Sequence, residues 1–106
     1  MAKYLWEATY TADGIKGLRQ EGGTRRQRAV EEVIETLGGT VEAFYFAFGD
    51  NDTYTIVDLP DNVSASAASL AIIAAGAVRV RTTVLLTPAE IDEAVERSVE
   101  YRAPAS

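Results

Sequence analysis

Residues 41–48 read Val41-Glu42-Ala43-Phe44-Tyr45-Phe46-Ala47-Phe48, and this stretch decides the fold of the chain. Side chains of a β-strand alternate between two faces. One face is therefore predicted to carry Val41, Ala43, Tyr45 and Ala47, and the other Glu42, Phe44, Phe46 and Phe48. Only Glu42 is charged, so both faces are apolar. A domain of 106 residues forms a single core, and we therefore expect a second chain to cover one face.

Strand and helix patterns continue on both sides of this stretch. Strands are predicted at residues 3–10, 53–59 and 78–86. In the first of them Tyr4, Trp6, Ala8 and Tyr10 share the side that is expected to face the core. Main helices are predicted at residues 24–37 and 62–75, and a short helical turn at 15–20. The order β-α-β-β-α-β-α predicts an α+β fold. It is a ferredoxin-like βαββαβ unit with an extra C-terminal helix, an antiparallel four-stranded sheet, and both main helices on one face.

N-cap patterns predict where the helices begin. Thr24 with Gln27 matches a capping box, Asn62 or Ser64 caps the next helix, and Thr87-Pro88-Ala89-Glu90 begins the last one. The last helix is expected to turn Ile91, Ala94 and Val95 inward. Residues 1–106 then form a single domain, in which residues 102–106 are a frayed tail.

Composition excludes several classes of site. The chain has no Cys and no His, which removes thiolate metal sites and every Ser-His or Cys-His nucleophile. Neither a metal nor a cofactor is expected. The net charge is −6, with six Lys or Arg against three acidic residues in 1–28 and four against thirteen in 29–106. This acidity argues against nucleic acid as a partner. No targeting or membrane segment is recognised, so a cytoplasmic location is expected.

Several short motifs together resemble one family. They are Tyr4…Tyr10-Thr11, Gly14-Ile15-Lys16-Gly17-Leu18, Glu21-Gly22-Gly23, Leu37-Gly38-Gly39, residues 44–49, Asp58-Leu59-Pro60-Asp61 and residues 86–90. From about Lys3 to Glu93 the chain resembles the GYD-domain family. That resemblance implies a dimeric α+β barrel, in which two ferredoxin-like sheets pack face to face, and hence a homodimer or higher oligomer through the open sheet face. The family's naming turn has Tyr before Asp, whereas Asn51 precedes Asp52 here.

Six residues are predicted to bind a small, anionic or aromatic ligand: Tyr10, Lys16, Arg25, Asp52, Tyr54 and Arg81. Arginine forks bind carboxylates, and a helix that begins near Arg25 favours anions. Tyrosine hydroxyls orient a ligand when they are buried. In the competing interpretation, Arg79 and Arg81 pair with Glu7 or Asp58 across strands. In the same interpretation, Asp50 and Asp52 are ordinary turn residues rather than calcium ligands.

Three functions are consistent with these features. The leading hypothesis is a homodimeric module that binds a small molecule in a cleft between sheet and helices. The alternatives are a cofactor-independent enzyme, resembling oxygenases, decarboxylases or cyclases of related barrels, and a structural or regulatory assembly subunit. In the enzyme, acid–base chemistry would fall to Asp52, Tyr10, Tyr54 or Lys16, with Arg81 stabilising an oxyanion.

Overall fold

The computed structural model describes residues 1–105 and shows an α+β fold of one sheet with four helices. The elements are β1 (Ala2–Tyr10), α1 (Ala12–Glu21), α2 (Gly23–Thr36), β2 (Thr40–Phe46), β3 (Thr53–Leu59), α3 (Asn62–Ala74), β4 (Val78–Leu85) and α4 (Pro88–Glu96). The strand order is β2-β3-β1-β4, and all neighbouring strands are antiparallel. This order is that of a ferredoxin-like sheet and confirms the predicted fold class.

The first crossover contains two helices where one helix and a turn were predicted. Thr11 caps α1 and accepts a hydrogen bond from the Gly14 N–H at 3.2 Å, so a full helix replaces the expected short turn. α1 ends before Gly22, whose φ of 85° is left-handed. Gly22 is also the N-cap of α2, which places Thr24 inside the first turn and makes the predicted Thr24 capping box wrong.

The core lies between one face of the sheet and the helices α2 and α3. Tyr4, Trp6 and Ala8 are buried on this face, as predicted. Ile34 of α2 and Ala65 and Ala68 of α3 close the core from above; the small alanines let α3 approach the strands closely. Asp61 caps α3 by accepting from the Ser64 N–H at 2.8 Å, so the predicted caps Asn62 and Ser64 are wrong.

A β-bulge at Glu42 changes which side chains of β2 share a face. Val41 pairs with Val57, but Ala43 pairs with Ile56, which leaves Glu42 unpaired in the ladder. Phe44 and Phe46 therefore join Val41 on the helix-covered face, while Ala43 and Tyr45 lie on the opposite face. The predicted strict alternation of residues 41–48 was wrong for this reason, because one extra residue reverses every later side chain. The carboxylate of Glu42 lies 3.1 Å from the Lys3 ammonium.

The other face of the sheet has no helix over it in the described residues, and we call it the open face. Register places Lys3, Leu5, Glu7 and Thr9 of β1 there, beside Ile56 and Asp58 of β3 and Arg79, Arg81, Thr83 and Leu85 of β4. Lys3 donates to Asp58 at 2.9 Å. Tyr45 is 70% exposed on this face, whereas Leu5 and Ile56 are half-buried by their strand neighbours.

Helix α4 extends away from the rest of the chain. Its capping box at Thr87 and Glu90 forms as predicted. All its residues are exposed, including Ile91 and Val95, so the prediction that Ile91, Ala94 and Val95 face the core was wrong. The physical reason is that α4 leaves the end of β4 without folding back. The radius of gyration is 17.0 Å, against about 13 Å for a compact domain of this length.

Candidate functional site

A small cavity lies between the sheet and the helices α2 and α3. Its volume is about 40 Å³, which is room for a few atoms rather than for a whole ligand. Four polar side chains, Tyr10, Arg26, Thr53 and Thr55, contribute to its lining. The remainder is apolar and comprises Trp6, Ala8, Val30, Phe44, Ile72, Val78 and Val80. The cavity therefore combines a few polar groups with an apolar wall, as ligand sites do.

Trp6, which lines this cavity, carries an unusual polar atom. The residue is 3% exposed, and its indole Nε1–H has no hydrogen-bond acceptor in the part of the chain that the structure describes. A buried donor without an acceptor costs about 1–3 kcal/mol. Thr53 and Thr55, also buried, lie on the same face of the neighbouring strand, since Trp6 pairs directly with Thr55.

Tyr10 stands at the end of β1 and is held there by two neighbouring segments. Its backbone N–H donates to Asp52 Oδ2 at 2.8 Å, and the Asp52 N–H donates to the Ala8 carbonyl at 2.8 Å. On the other side, Gly14 of α1 packs so closely that a Cβ there would overlap the Ala77 carbonyl oxygen and come within 3.0 Å of the Tyr10 ring. These contacts fix the backbone at Tyr10, and the Tyr10 ring lies against Gly14.

The hydroxyl of Tyr10 stays protonated at neutral pH. Burial raises the pKa of this hydroxyl, the Arg26 guanidinium opposes that effect, and the carboxylates of Glu21 and Asp52 add to it. Arg26 lies 3.9 Å from Glu21. At neutral pH the cavity wall thus carries a neutral phenol and a guanidinium, both of which can donate hydrogen bonds.

Tyr10 also lines an open cleft of about 420 Å³ on the outer side of the same region. The cleft wall is formed by Ile15 and Leu18 of α1, Gly23 of α2, and the end of β2, with Asp52 as its acidic residue. Phe46 and Phe48 are exposed there. This volume falls in the range of about 300–1,000 Å³ that small-molecule sites occupy.

The structure brings together only part of the predicted ligand-binding set. Tyr10 and Asp52 are in contact at the cleft. Lys16 lies on α1 in a separate surface depression with Arg19 and Gln20, and Arg25 is exposed on α2, where it lines neither the cavity nor the cleft.

Tyr54 and Arg81 lie on the open face, where each stands opposite Glu7 in the register of the neighbouring strands. No acidic group among residues 1–105 lies within 4.0 Å of the Arg81 or Arg79 guanidinium. The four residues named for acid–base chemistry, and Arg81 named for the oxyanion, are therefore divided between two faces of the sheet and the outside of α1.

Three polar side chains of the cavity were not among the predicted ligand-binding residues: Arg26, Thr53 and Thr55. Arg26 precedes Val30 by one helical turn, so the apolar stripe of α2 extends back to position 26 and not to 25. That signal could have identified Arg26. Thr55 alternates in phase with the buried Val57 and Leu59, which likewise marks it as facing the helices.

Asn51 connects the turn before β3 to the open face. Its Nδ2 donates to Glu7 Oε2 at 2.9 Å and to the Tyr54 hydroxyl at 3.3 Å, and its Oδ1 accepts from Thr9 Oγ1 at 3.4 Å. Asp52, the next residue, turns to the Tyr10 side. The Asn51 side chain thus bonds to residues of the open face, whereas the Asp52 side chain bonds to the backbone of Tyr10.

Residues 1–105 contain neither a cluster of metal ligands nor a membrane-spanning helix. No group of three or more acidic side chains is placed to hold a metal ion there. None of the helices in that range has the length and apolar character needed to cross a bilayer.

Comparison with known protein families gives a match over most of the chain. No curated protein and no solved structure matches the chain significantly. The family model described as GYD domain matches residues 4–95 of the 106, a range that contains the cavity, the cleft and the Asn51-Asp52 turn. The chain therefore belongs to the GYD-domain family.

Proposed function

We propose that the protein is a homodimeric module that binds a small molecule with an aromatic body and an anionic head. The head occupies the cavity beside Trp6, Tyr10 and Arg26, and the aromatic body lies in the cleft on the other side of Tyr10. The family match names no ligand, so the proposed binding role goes beyond family membership.

One observation carries this proposal: Trp6, Tyr10 and Arg26, which all have hydrogen-bond donors, line one small cavity. Its other lining residues are Thr53, Thr55 and six apolar side chains. The Trp6 indole N–H has no acceptor in the described chain, and Tyr10 and Arg26 line the same space. A ligand carboxylate would accept from these donors and would be paired with a cation at low dielectric. Since a buried unpaired donor is costly, the gain on binding is larger than for a donor already bonded within the protein.

The cleft supports the aromatic part of the ligand. Phe46 and Phe48 are exposed at its wall, and Phe44 and Phe46 already form an edge-to-face pair with ring centroids 5.3 Å apart. A further ring can extend this arrangement in offset or edge-to-face geometry, which contributes about 0.5–1.5 kcal/mol beyond area burial. Neither Ile15 nor Leu18 offers a polar group to the cleft, so a hydrophilic body would be disfavoured.

The homodimer is proposed to form through the open face. Leu5 and Ile56 lie in the middle of this face without a covering layer in the described chain, and the exposed Tyr45 stands beside them. A sheet with one apolar face uncovered gains stability by packing on another sheet about 10 Å away. Sedimentation equilibrium should give at least twice the chain mass, and Ile56→Asp on the open face should lower that mass. A monomer at every concentration tested, or an unchanged mass in Ile56→Asp, would contradict this part of the proposal.

Benzoate titration tests the binding site, because Trp6 is the single tryptophan and reports on the cavity. Benzoate should change Trp6 fluorescence saturably, and benzyl alcohol, which lacks the charge, should bind much more weakly. Arg26→Gln should weaken benzoate binding about 10- to 100-fold, the factor for one hydrogen bond to a charged group. The neighbouring Arg25→Gln is the matched control and should leave the affinity within about twofold.

Equal loss in both arginine variants would show a general charge effect and would refute the cavity as the anion site. The absence of any saturable fluorescence change with benzoate, benzyl alcohol or naphthoate would refute the proposed ligand class. Circular dichroism of each variant shows whether the fold is retained.

A further inference from the structure

The chain carries a second apolar surface, which is separate from the proposed ligand site. A groove of about 530 Å³ runs between α3 and the edge strand β4. Its apolar lining residues are Tyr4, Ala65, Leu70 and Val84, and its polar lining residues are Asn62, Ser66, Ser69 and Thr82. Helix α3 has no charged residue, and its outer side exposes Val63, Leu70 and Ile73. Apolar side chains on the outer side of an uncharged helix are normally covered by a packing partner.

The segment after β4 presents a matching apolar stripe. We call residues 86–101 the arm; it contains α4 and exposes Leu86, Ile91, Val95, Val99 and Tyr101. Ile91 and Val95 are one helical turn apart and share a face, and the acidic residues Asp92, Glu93 and Glu96 surround them. The arm is therefore amphipathic, yet none of its helical residues is covered by the rest of the chain.

We propose that the arm of one copy docks in the α3–β4 groove of a second copy, and that the exchange is reciprocal. The proposal does not depend on ligand binding or on contact between open faces. Each chain supplies one groove and one arm, so a two-fold pair covers both surfaces of both chains. A dimer of this kind is held together by α4, whose residues are all exposed and do not belong to the core of their own chain.

The direction of α4 favours a second copy over the chain's own groove. Only Leu86 and Thr87 separate β4 from α4, and Thr87 is extended, with φ −74° and ψ 158°. The capping box between Thr87 and Glu90 holds this geometry: the Glu90 N–H donates to Thr87 Oγ1 at 3.1 Å, and the Thr87 N–H donates to Glu90 Oε1 at 2.9 Å. Folding back onto the same chain would require a reversal at this point. The long axis of the chain, 57 Å, shows that none occurs.

The available area is sufficient for a specific contact. Nine large apolar side chains of the arm, the groove and the outer side of α3 are between 44% and 81% exposed: Leu86, Ile91, Val95, Val99, Tyr101, Val63, Leu70, Ile73 and Val84. At roughly 60–120 Å² for each fully exposed side chain, two symmetric contacts bury on the order of 1,000 Å², the size at which specific interfaces begin.

Cysteine pairing tests the exchange, since the native chain has no cysteine. Ser66→Cys places a thiol at the groove, and Ala94→Cys places one on the arm. The two single variants, one carrying a size tag, are mixed and oxidised. A disulfide-linked heterodimer containing one tagged and one untagged chain is expected. Glu32→Cys, on the exposed side of α2, replaces Ser66→Cys in the control mixture and should give no heterodimer above background.

Each other outcome counts against the exchange. A Ser66→Cys and Ala94→Cys double variant that closes within one chain, while the mixture gives no heterodimer, would show that the arm folds back on its own groove. No disulfide in either experiment, repeated with Ser69→Cys in place of Ser66→Cys, would show that the arm does not dock. The benzoate titration is unaffected by either result, so failure here is distinguishable from failure of the ligand site.

Discussion

Alanine substitution at two glycines of the same helix should change the free energy of unfolding in opposite directions. This prediction tests how Tyr10 is positioned. Gly14 and Gly17 both lie within α1. A Cβ at Gly17 meets no atom within 4 Å, whereas a Cβ at Gly14 overlaps the backbone carbonyl oxygen of Ala77. Alanine is favoured over glycine in a helix by about 0.5–1 kcal/mol at either position. Gly17→Ala should therefore raise the free energy of unfolding by about that amount.

Gly14→Ala should lower the free energy of unfolding by about 1–3 kcal/mol despite the same helix propensity gain. The obstruction is backbone, so α1 must move away from Ala77, and overpacking of this kind costs about 1–3 kcal/mol or more. The Thr11 N–H, which donates to the Ala77 carbonyl at 2.9 Å, is strained or lost at a further cost of about 0.5–1.5 kcal/mol. Urea unfolding followed by Trp6 fluorescence measures both variants; each kcal/mol also shifts Tm by about 4–8 °C.

A stability of Gly14→Ala equal to or above that of the native chain would refute the close approach of α1 to Ala77. A loss in Gly17→Ala would refute the assignment of an exposed helix interior there. Because the added methyl group also lies 3.0 Å from the Tyr10 ring, Gly14→Ala should weaken benzoate binding, and Gly17→Ala should not. Benzoate affinity measured on the two variants links the packing of α1 to the site.

Two further predictions concern the start of α3. Tyr4→Phe removes the hydroxyl that donates to Asn62 Oδ1 at 2.6 Å and should cost about 0.5–1.5 kcal/mol; Asn62→Ala should cost a similar amount, and in urea unfolding the double variant should lose less than the sum. The hydrogen bond from the Ser64 N–H lowers the pKa of Asp61 below its ordinary value of 3.8. The contribution of the ionised Asp61 cap to the free energy of unfolding is therefore present above pH 3.8 and is lost as the pH falls through the lower pKa of the folded state. Asp61→Asn should be less stable than the native chain at pH 6, and the difference should shrink below pH 3.8 in the same assay; a constant difference would contradict the assignment.

Much of the fold could be predicted because strand and helix periods are strong in this sequence. Residues 53–59 were predicted as a strand with the bounds that the structure has, since Thr53, Thr55, Val57 and Leu59 alternate with more polar neighbours. α1 was missed because Thr11-Ala12-Asp13-Gly14 is consistent with either a turn or a helix start. Contact between Gly14 and Ala77, more than 60 residues apart, decides in favour of the helix.

The candidate site was predicted less well, because its residues come together through register and helix phase. Tyr10 and Asp52 meet since the antiparallel pairing of β1 and β3 continues one step past Ala8 and Thr53. Tyr54 is one residue beyond Thr53 and therefore faces the other way. Choosing Arg25 rather than Arg26 was a phase error of 100°, the rotation of one residue in a helix.

The apolar side chains of β2 are divided between the helix-covered face and the open face of the sheet. A dimer contact through the open face therefore does not by itself explain why the strand is apolar. Without the bulge, Glu42 would share a face with Phe44 and Phe46, and a carboxylate would point at the helix layer. The extra residue instead sends Glu42 to Lys3 on the open face and leaves the aromatic rings beneath α2, where Phe44 lines the cavity and Phe46 the cleft. Of the aromatic side chains in β2, only that of Tyr45 faces outward. The phenylalanines therefore build the ligand side, and Leu5 and Ile56 of the central strands must supply most of the apolar surface for any partner sheet.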